Sequence, residues 1–391
     1  MRLTLMLFIA LGWVVLTLSG CSTDVKNIER LNYATAIGVD YKDGEYRGFV
    51  QFVDLQAEAK TTEGINQEAR IWIGEGRGET FEDSFFNIYR TAQERIFWGH
   101  LTAVVISESA MKKGLPSILD SITRYNEFRL TPVVFGTRGS VKEILSQGGF
   151  YGQSPLSTIL HEPGGIYQQS SFIHSVQMHR LISYLNEPGY TTCIPTLAVN
   201  NLQWTEKNKR KKLLMIDGAI FVKDQSYRSF IPLKELTGMR WIQKDTQRAG
   251  VPVPIDGGPS VQAVINRSKP KLKLLQGGYS PEFKFLYEGS GYLVNRANNE
   301  WSKTGELNEA VEKVIRKEVE DLFQTGRRKH TDVMNLEYHM FRYHHRLWSS
   351  LPSPEATIMS PDTLSTINVH VNIRHTSTVK NRNVLTKPQK E

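Results

Sequence analysis

The chain of 391 residues carries 48 Lys and Arg against 40 Asp and Glu, a formal net charge of +8, and only two cysteines, Cys21 and Cys193. At roughly 150 residues per domain this length allows two domains or three, and two cysteines exclude a disulfide-stapled scaffold. Beyond residue 20 no apolar run is long enough to span a membrane as a helix.

Residues 3–18, LTLMLFIALGWVVLTL, follow Arg2 without a charge and run into Ser19-Gly20. A basic start, an apolar stretch and a small-residue exit make a secretory signal peptide over residues 1–20. The tetrad Leu18-Ser19-Gly20-Cys21 resembles the lipobox of bacterial lipoproteins, with cleavage between Gly20 and Cys21. The chemistry needs a cysteine because its thiolate takes up the lipid as a thioether. Cys21 is therefore the lipidation site, with S-diacylglycerol on sulfur and an N-acyl chain (palmitate) on the new amino terminus. Two or more chains hold stably where one is marginal, at about 0.8 kcal/mol per buried methylene. The competing reading is an uncleaved anchor in which Cys21 is a bystander. With Cys21 acylated, Cys193 has no intrachain partner. An exported chain does not meet nucleic acid, so the basic balance points to anionic headgroups or to a solvated surface.

Downstream, Asn32–Asp40 and Tyr46–Asp54 read as strands joined at Asp43-Gly44, a pair that tolerates the positive φ of a tight hairpin. Glu58–Glu68 reads as a polar loop and Ala69–Gly76 as a short strand. Thr80 with Asp83 opens a helix, along which Phe81, Phe85, Ile88, Ala92 and Ile96 share a face. His100–Ser107 reads as a strand, followed by a helix carrying Leu115, Leu119 and Ile122 and a strand at Leu130–Gly136. Ser140–Glu143 matches a capping box, and Met178, Leu181, Ile182 and Leu185 mark a helix ended by Asn186-Glu187-Pro188-Gly189. Strands alternating with helices predict a mixed α/β domain over 21–205.

The basic run EKNKRKK, residues 206–212, has no apolar residue and reads as a linker, with lipid contact as a secondary role. The second half, 213–375, opens on LLMIDGAIFVKDQSYRSFIP, apolar strands around a turn at Lys223-Asp224-Gln225-Ser226. SVQAVINRSKPKLKL and EFKFLYEGSGYLV continue as strands, with Phe283, Phe285 and Tyr287 alternating. Leu307, Val311, Val314, Ile315, Val319 and Leu322 form a helical stripe, and Ser365–Arg374 is a final strand. This predicts an α+β domain on an antiparallel sheet, with a polar basic tail at 376–391. The fold class is α+β, multi-domain, with mixed or antiparallel sheets flanked by helices behind an N-terminal lipoprotein signal peptide.

The residues that could carry chemistry fit structural roles better. GEGRGETF (Gly74–Phe81) has glycines before a helix but lacks the spacing of a phosphate loop, and reads as a tight strand-to-helix turn. His339, His344 and His345 are spaced by five and one, not the i, i+4 of a zinc pair. Asp120 and Glu127 lie among Arg124 and Arg129 and read as ion pairs. Cys193 reads as a small buried hydrophobe. No G-x-S-x-G elbow is present, nor the S-x-x-K set with its partner motifs. No catalytic, cofactor-binding or metal residue is assigned, and the chain reads as non-enzymatic.

Several blocks then stand in a recognisable order after the lipobox: ERLNYATAIGVDY, GETFEDSFFNIYRTAQERIFWGHLTAVVISESAMKKGLPSILDSITRYNEFRL, GAIFVKDQSYRSFIPLKELTGMRWI, TDVMNLEYHMFRYHHRLW and INVHVNIRHT. From about Cys21 to about His375 the chain resembles the C-subunit lipoproteins of bacterial spore germinant receptors, the Ger(x)C family. Many members carry Trp-Asp directly after the lipidated cysteine, where this chain has Ser22-Thr23-Asp24. The resemblance implies a non-enzymatic subunit, lipid-anchored to the outer face of the spore inner membrane. It also implies assembly with A and B membrane subunits, and germination in response to nutrients. It brings no cofactor and no catalytic motif, and only Cys21 transfers as a functional residue. The alternative is a solute-binding lipoprotein of a membrane transport system, which needs a cleft with convergent polar groups.

Overall fold

The computed structural model describes residues 31–54, 70–125, 127–255, 258–277, 280–294 and 304–374. The expected signal peptide over residues 1–20, with Gly20 and Cys21, the polar stretch 58–68 and the tail 376–391 lie outside the described residues.

β1 (Leu31–Lys42) and β2 (Glu45–Val53) form the expected hairpin, with Asp43 and Gly44 at φ 57° and 86°. β3 (Ile71–Gly78) pairs with β2, so that Phe52 faces Ala34 on one side and Trp72 on the other. α1 (Phe81–Tyr89) starts in a reciprocal capping box. Thr80 Oγ1 accepts from the Asp83 N–H at 3.2 Å, and Asp83 Oδ2 accepts from the Thr80 N–H at 3.4 Å. The apolar stripe expected to run on to Ile96 breaks here. The helix ends at Tyr89, Gln93 turns the chain at φ 58°, and Ile96 is buried in β4 (Arg95–Phe97) against β1. Its helical spacing from Ile88 is a coincidence of two separate elements feeding one core.

β5 (Ala103–Ser107) leads into α2 (Glu108–Arg124), whose helical backbone is interrupted at Gly114, two residues before Pro116. β6 (Val133–Thr137) precedes α3 (Val141–Leu145), capped by Ser140; α4 (Pro163–Gln169), β7 (Val176–Gln177) and α5 (Met178–Leu185) follow. β8 (Thr191–Glu206), β9 (Lys209–Lys223) and β10 (Ser226–Pro232) complete one sheet in the order β10-β9-β8-β6-β5-β1-β2-β3, with β4 on β1 and β7 on β6. β1, β5 and β6 are parallel. Alternation along β5 feeds two cores: Val104 and Ile106 pack with α1, α2 and α5, while Ala103 and Val105 pack with α3 and Leu160.

Residues 206–212 form a hairpin end. Glu206 pairs with Lys209 and Thr205 with Arg210, so the basic run closes the β8–β9 hairpin through Lys207 and Asn208 at φ 48° and 63°. The missing apolar residues mark an exposed ribbon end, not a linker, and the first sheet continues across it to β10.

After α6 (Met239–Ile242), β11 (Ala249–Ile255), β12 (Gly258–Gln276) and β13 (Glu282–Leu293) form an antiparallel sheet. Phe283, Phe285 and Tyr287 alternate inward as their period predicts. α7 (Thr304–Arg328) lays Leu307, Val311, Ile315, Val319 and Leu322 on that face. α8 (Leu336–Tyr343), α9 (His345–Ser350) and α10 (Pro354–Ile358) lead to β14 (Leu364–Arg374), which runs parallel to β13. The second sheet is therefore mixed, because a helical crossover returns the chain in the same direction. Its core also takes in Ala219, Phe221 and Ile231 from β9 and β10, so the two sheets share one hydrophobic centre.

Candidate functional site

Two polar assemblies form where apolar strands stop. The first is a cleft of about 780 Å³ at the carboxyl ends of β1, β5 and β6, the place where parallel sheets leave room for ligands. Ser107 caps α2 through the Ala110 N–H, and this puts Glu108 at the mouth. One Glu108 oxygen accepts from Tyr227 OH at 2.6 Å and meets Lys112 Nζ at 2.7 Å; the other accepts from Arg138 Nε at 3.1 Å. Lys112 and Arg138 also lie over the Tyr227 and Phe230 rings. Burial pushes the Glu108 carboxyl up, but hydrogen bonds from Lys112 and Tyr227 outweigh it and hold the group below its usual range. A carboxylate so occupied is a poor proton acceptor. It ties β10 to α2.

The second assembly is a buried clasp between the sheets. Lys223 ends β9 at 3% exposure, and its ammonium meets Glu337 on α8 and Glu355 on α10. Glu337 also accepts from Trp348 Nε1 at 3.1 Å, and its N–H donates to Asp332 Oδ2 at 2.9 Å. Asn335, left-handed at φ 56°, accepts from the Thr191 N–H at 2.7 Å. Burial pushes the Asp332 carboxyl up to about 6, against the pull of the Glu337 and Leu336 amides. Nearby, Arg240 and Trp241 both donate to Glu318 on α7, at 2.8 and 2.6 Å. Asp332, Asn335 and Glu337 come from the TDVMNLEYHM block, and Arg240 and Trp241 from GMRWI.

The residues singled out in the sequence are dispersed. Gly74, Gly76 and Gly78 let α1 press on β3: a Cβ on Gly76 would overlap the Ser84 carbonyl oxygen. His339 and His344 lie with ring centroids 6.0 Å apart, and burial with the His344 charge lowers His339 to about 4. His345 instead stacks on Trp348, and the helical backbone breaks at His344 between α8 and α9. Among the described residues no group of three His, Cys, Asp or Glu could hold a metal ion. Asp120 pairs with Arg124 and Glu127 with Arg95, each at 2.6 Å. Cys193 packs beside the central core, and burial raises its thiol to about 12. Sequence reasoning misses Glu108, Lys223 and Glu337. The one signal is a charge at a position whose neighbours by period are all buried, as Lys223 is after AIFV.

Two family models match the chain: a spore germination protein N-terminal domain over residues 24–199, and a spore germination B3/GerAC-like C-terminal domain over residues 216–377. A Bacillus subtilis (strain 168) protein, YfkR, whose name assigns it to spore germination, is 25% identical over 219 residues. The match covers 54% of each chain, about half the length of that relative. A crystal structure of the GerBC protein superposes with a TM-score of 0.52 at 18% identity, covering 89% of this chain and 99% of that one.

Proposed function

The chain belongs to the Ger(x)C family of spore germination receptor proteins, and from that premise we propose that it is a lipid-anchored, non-catalytic subunit of a nutrient germinant receptor. Cys21 carries the acyl chains, Gly20-Cys21 is the cleavage site, and the body stands on the outer face of the spore inner membrane beside the A and B subunits. The carrying observation is the pair of family matches, which begin three residues after Cys21 and run to residue 377. Tethering raises the effective concentration of the body at the membrane, so that weak contacts with integral partners suffice. The saturated Glu108 cleft and the Lys223 clasp support a stiff scaffold, since their charged groups are engaged with one another. Neither family match supports the solute-binding alternative.

The test is Cys21→Ala in a sporulating host. Loss of membrane retention together with impaired germination in nutrient is the expected result. Unchanged fractionation and unchanged germination would contradict the proposal.

A further inference from the structure

Several large apolar side chains left in solvent lie around one projecting end of the first sheet. Beyond the sheet, β8 and β9 continue as a two-stranded ribbon whose last pairs are Trp204 with Lys211, Thr205 with Arg210 and Glu206 with Lys209. Leu202 and Trp204 are 69% and 50% exposed. The Phe150 ring meets Trp204 edge-on at 4.8 Å, and Tyr151 beside it is 86% exposed while its backbone is held at φ 54°. Ile71, the first residue of β3, faces them across a depression of about 540 Å³, and the next residue, Trp72, is 68% exposed on the opposite face of the same strand end.

Cations rim these rings. Lys211 pairs with Glu206 and Lys212 with Glu143. Lys207, Lys209 and Arg210 are exposed and make no ion pair among the described residues. Exposed aromatics bordered by Lys and Arg are the composition of a membrane interface, where ring bodies enter the headgroup layer and cations meet anionic lipid.

The register says which end of the molecule this is. Trp72 lies level with Phe52, and Phe52 with Ala34, so Ile71 and Trp72 sit where β1 begins at Leu31. Nine residues, 22–30, lie between that strand and Cys21, ten Cα–Cα steps from Cys21 to Leu31. At full extension they reach at most about 36 Å. The tether therefore joins the body at the end of the sheet that carries Ile71 and Trp72.

We propose that the β8–β9 ribbon end, with Phe150, Tyr151 and Trp72, docks into the headgroup layer of an anionic bilayer as a second, non-covalent attachment that fixes the orientation of the body. This rests on the anchored reading above. The components project as a ribbon tip and a loop, a form suited to entering a deformable layer.

The test uses the full acylated chain in vesicles of phosphatidylglycerol and phosphatidylcholine brominated near the headgroup. Trp204 and Trp72 should be quenched while Trp98 and Trp241, both buried, are not. Trp204→Phe with Trp72→Phe should lose most of the quenching, and Lys209→Glu with Arg210→Glu should weaken it while far-UV circular dichroism stays unchanged. Flotation with no quenching overturns docking and leaves the anchor standing. Failure to float overturns both. Floating vesicles in which Trp204 becomes shielded only when the A and B subunits are added overturn the lipid assignment in favour of a protein interface.

Discussion

His161 sits in the core with its Nδ1 2.5 Å from Thr102 Oγ1, and its Nε2 has no partner among the described residues. Burial lowers its pKa from 6.5 to about 4. Between those values the unfolded chain binds the proton and the folded chain does not. The stability owed to neutral His161 is therefore complete above pH 6.5 and is lost as pH falls towards 4. Asp332 works in the opposite sense: its raised pKa lets the folded state keep a proton between about 6 and 4, and that contribution grows as pH falls. His161→Gln removes the first contribution only. Denaturation at pH 7 and pH 4.5 should show the variant losing about 2 kcal/mol less than wild type across that interval; an equal loss in both would refute the assignment. Nothing in the sequence around His161 distinguishes it from an exposed histidine, so its burial is not legible there.

At the scale of elements, local chemistry is readable wherever it is self-contained. The Asp43-Gly44 hairpin, the Thr80–Asp83 box, the alternation of Phe283, Phe285 and Tyr287 and the stripe on α7 are all set by residues within a few positions of one another. The failures come where distant elements decide. Ile96 shares a helical period with Ile88 yet belongs to a strand, and the 206–212 run is polar because its ribbon is exposed on both faces. The glycines of GEGRGETF follow the same logic, since their purpose depends on α1 lying across β3. Gly76→Ala should cost about 1–3 kcal/mol in urea denaturation, because helix and strand must separate. Gly164→Ala on α4 meets nothing within 4 Å and should be neutral or stabilising by up to about 1 kcal/mol. Equal effects at the two sites would contradict the packing account.

For the whole molecule, the shared core and the Lys223 clasp bind the two sheets into one body, although the family models divide the chain between residues 199 and 216. Lys223→Met leaves the buried Glu337 without its cation, while Glu355 keeps Arg228 at 3.6 Å, and should cost about 3–5 kcal/mol. The denaturation curve should remain one transition read by fluorescence and by circular dichroism; two separated transitions in the wild type would show that the halves fold independently. The clasp is invisible in sequence because Lys223 and Glu337 are 114 residues apart. The proposed anchor, by contrast, rests on a single tetrad.

The most direct measurement of the central claim is the mass of the N-terminal peptide of the protein extracted from spore membranes. The expected peptide starts at Cys21 and carries diacylglycerol on sulfur and an acyl chain on nitrogen. A peptide that still contains residues 1–20, or one that starts at Cys21 with no lipid, would contradict it.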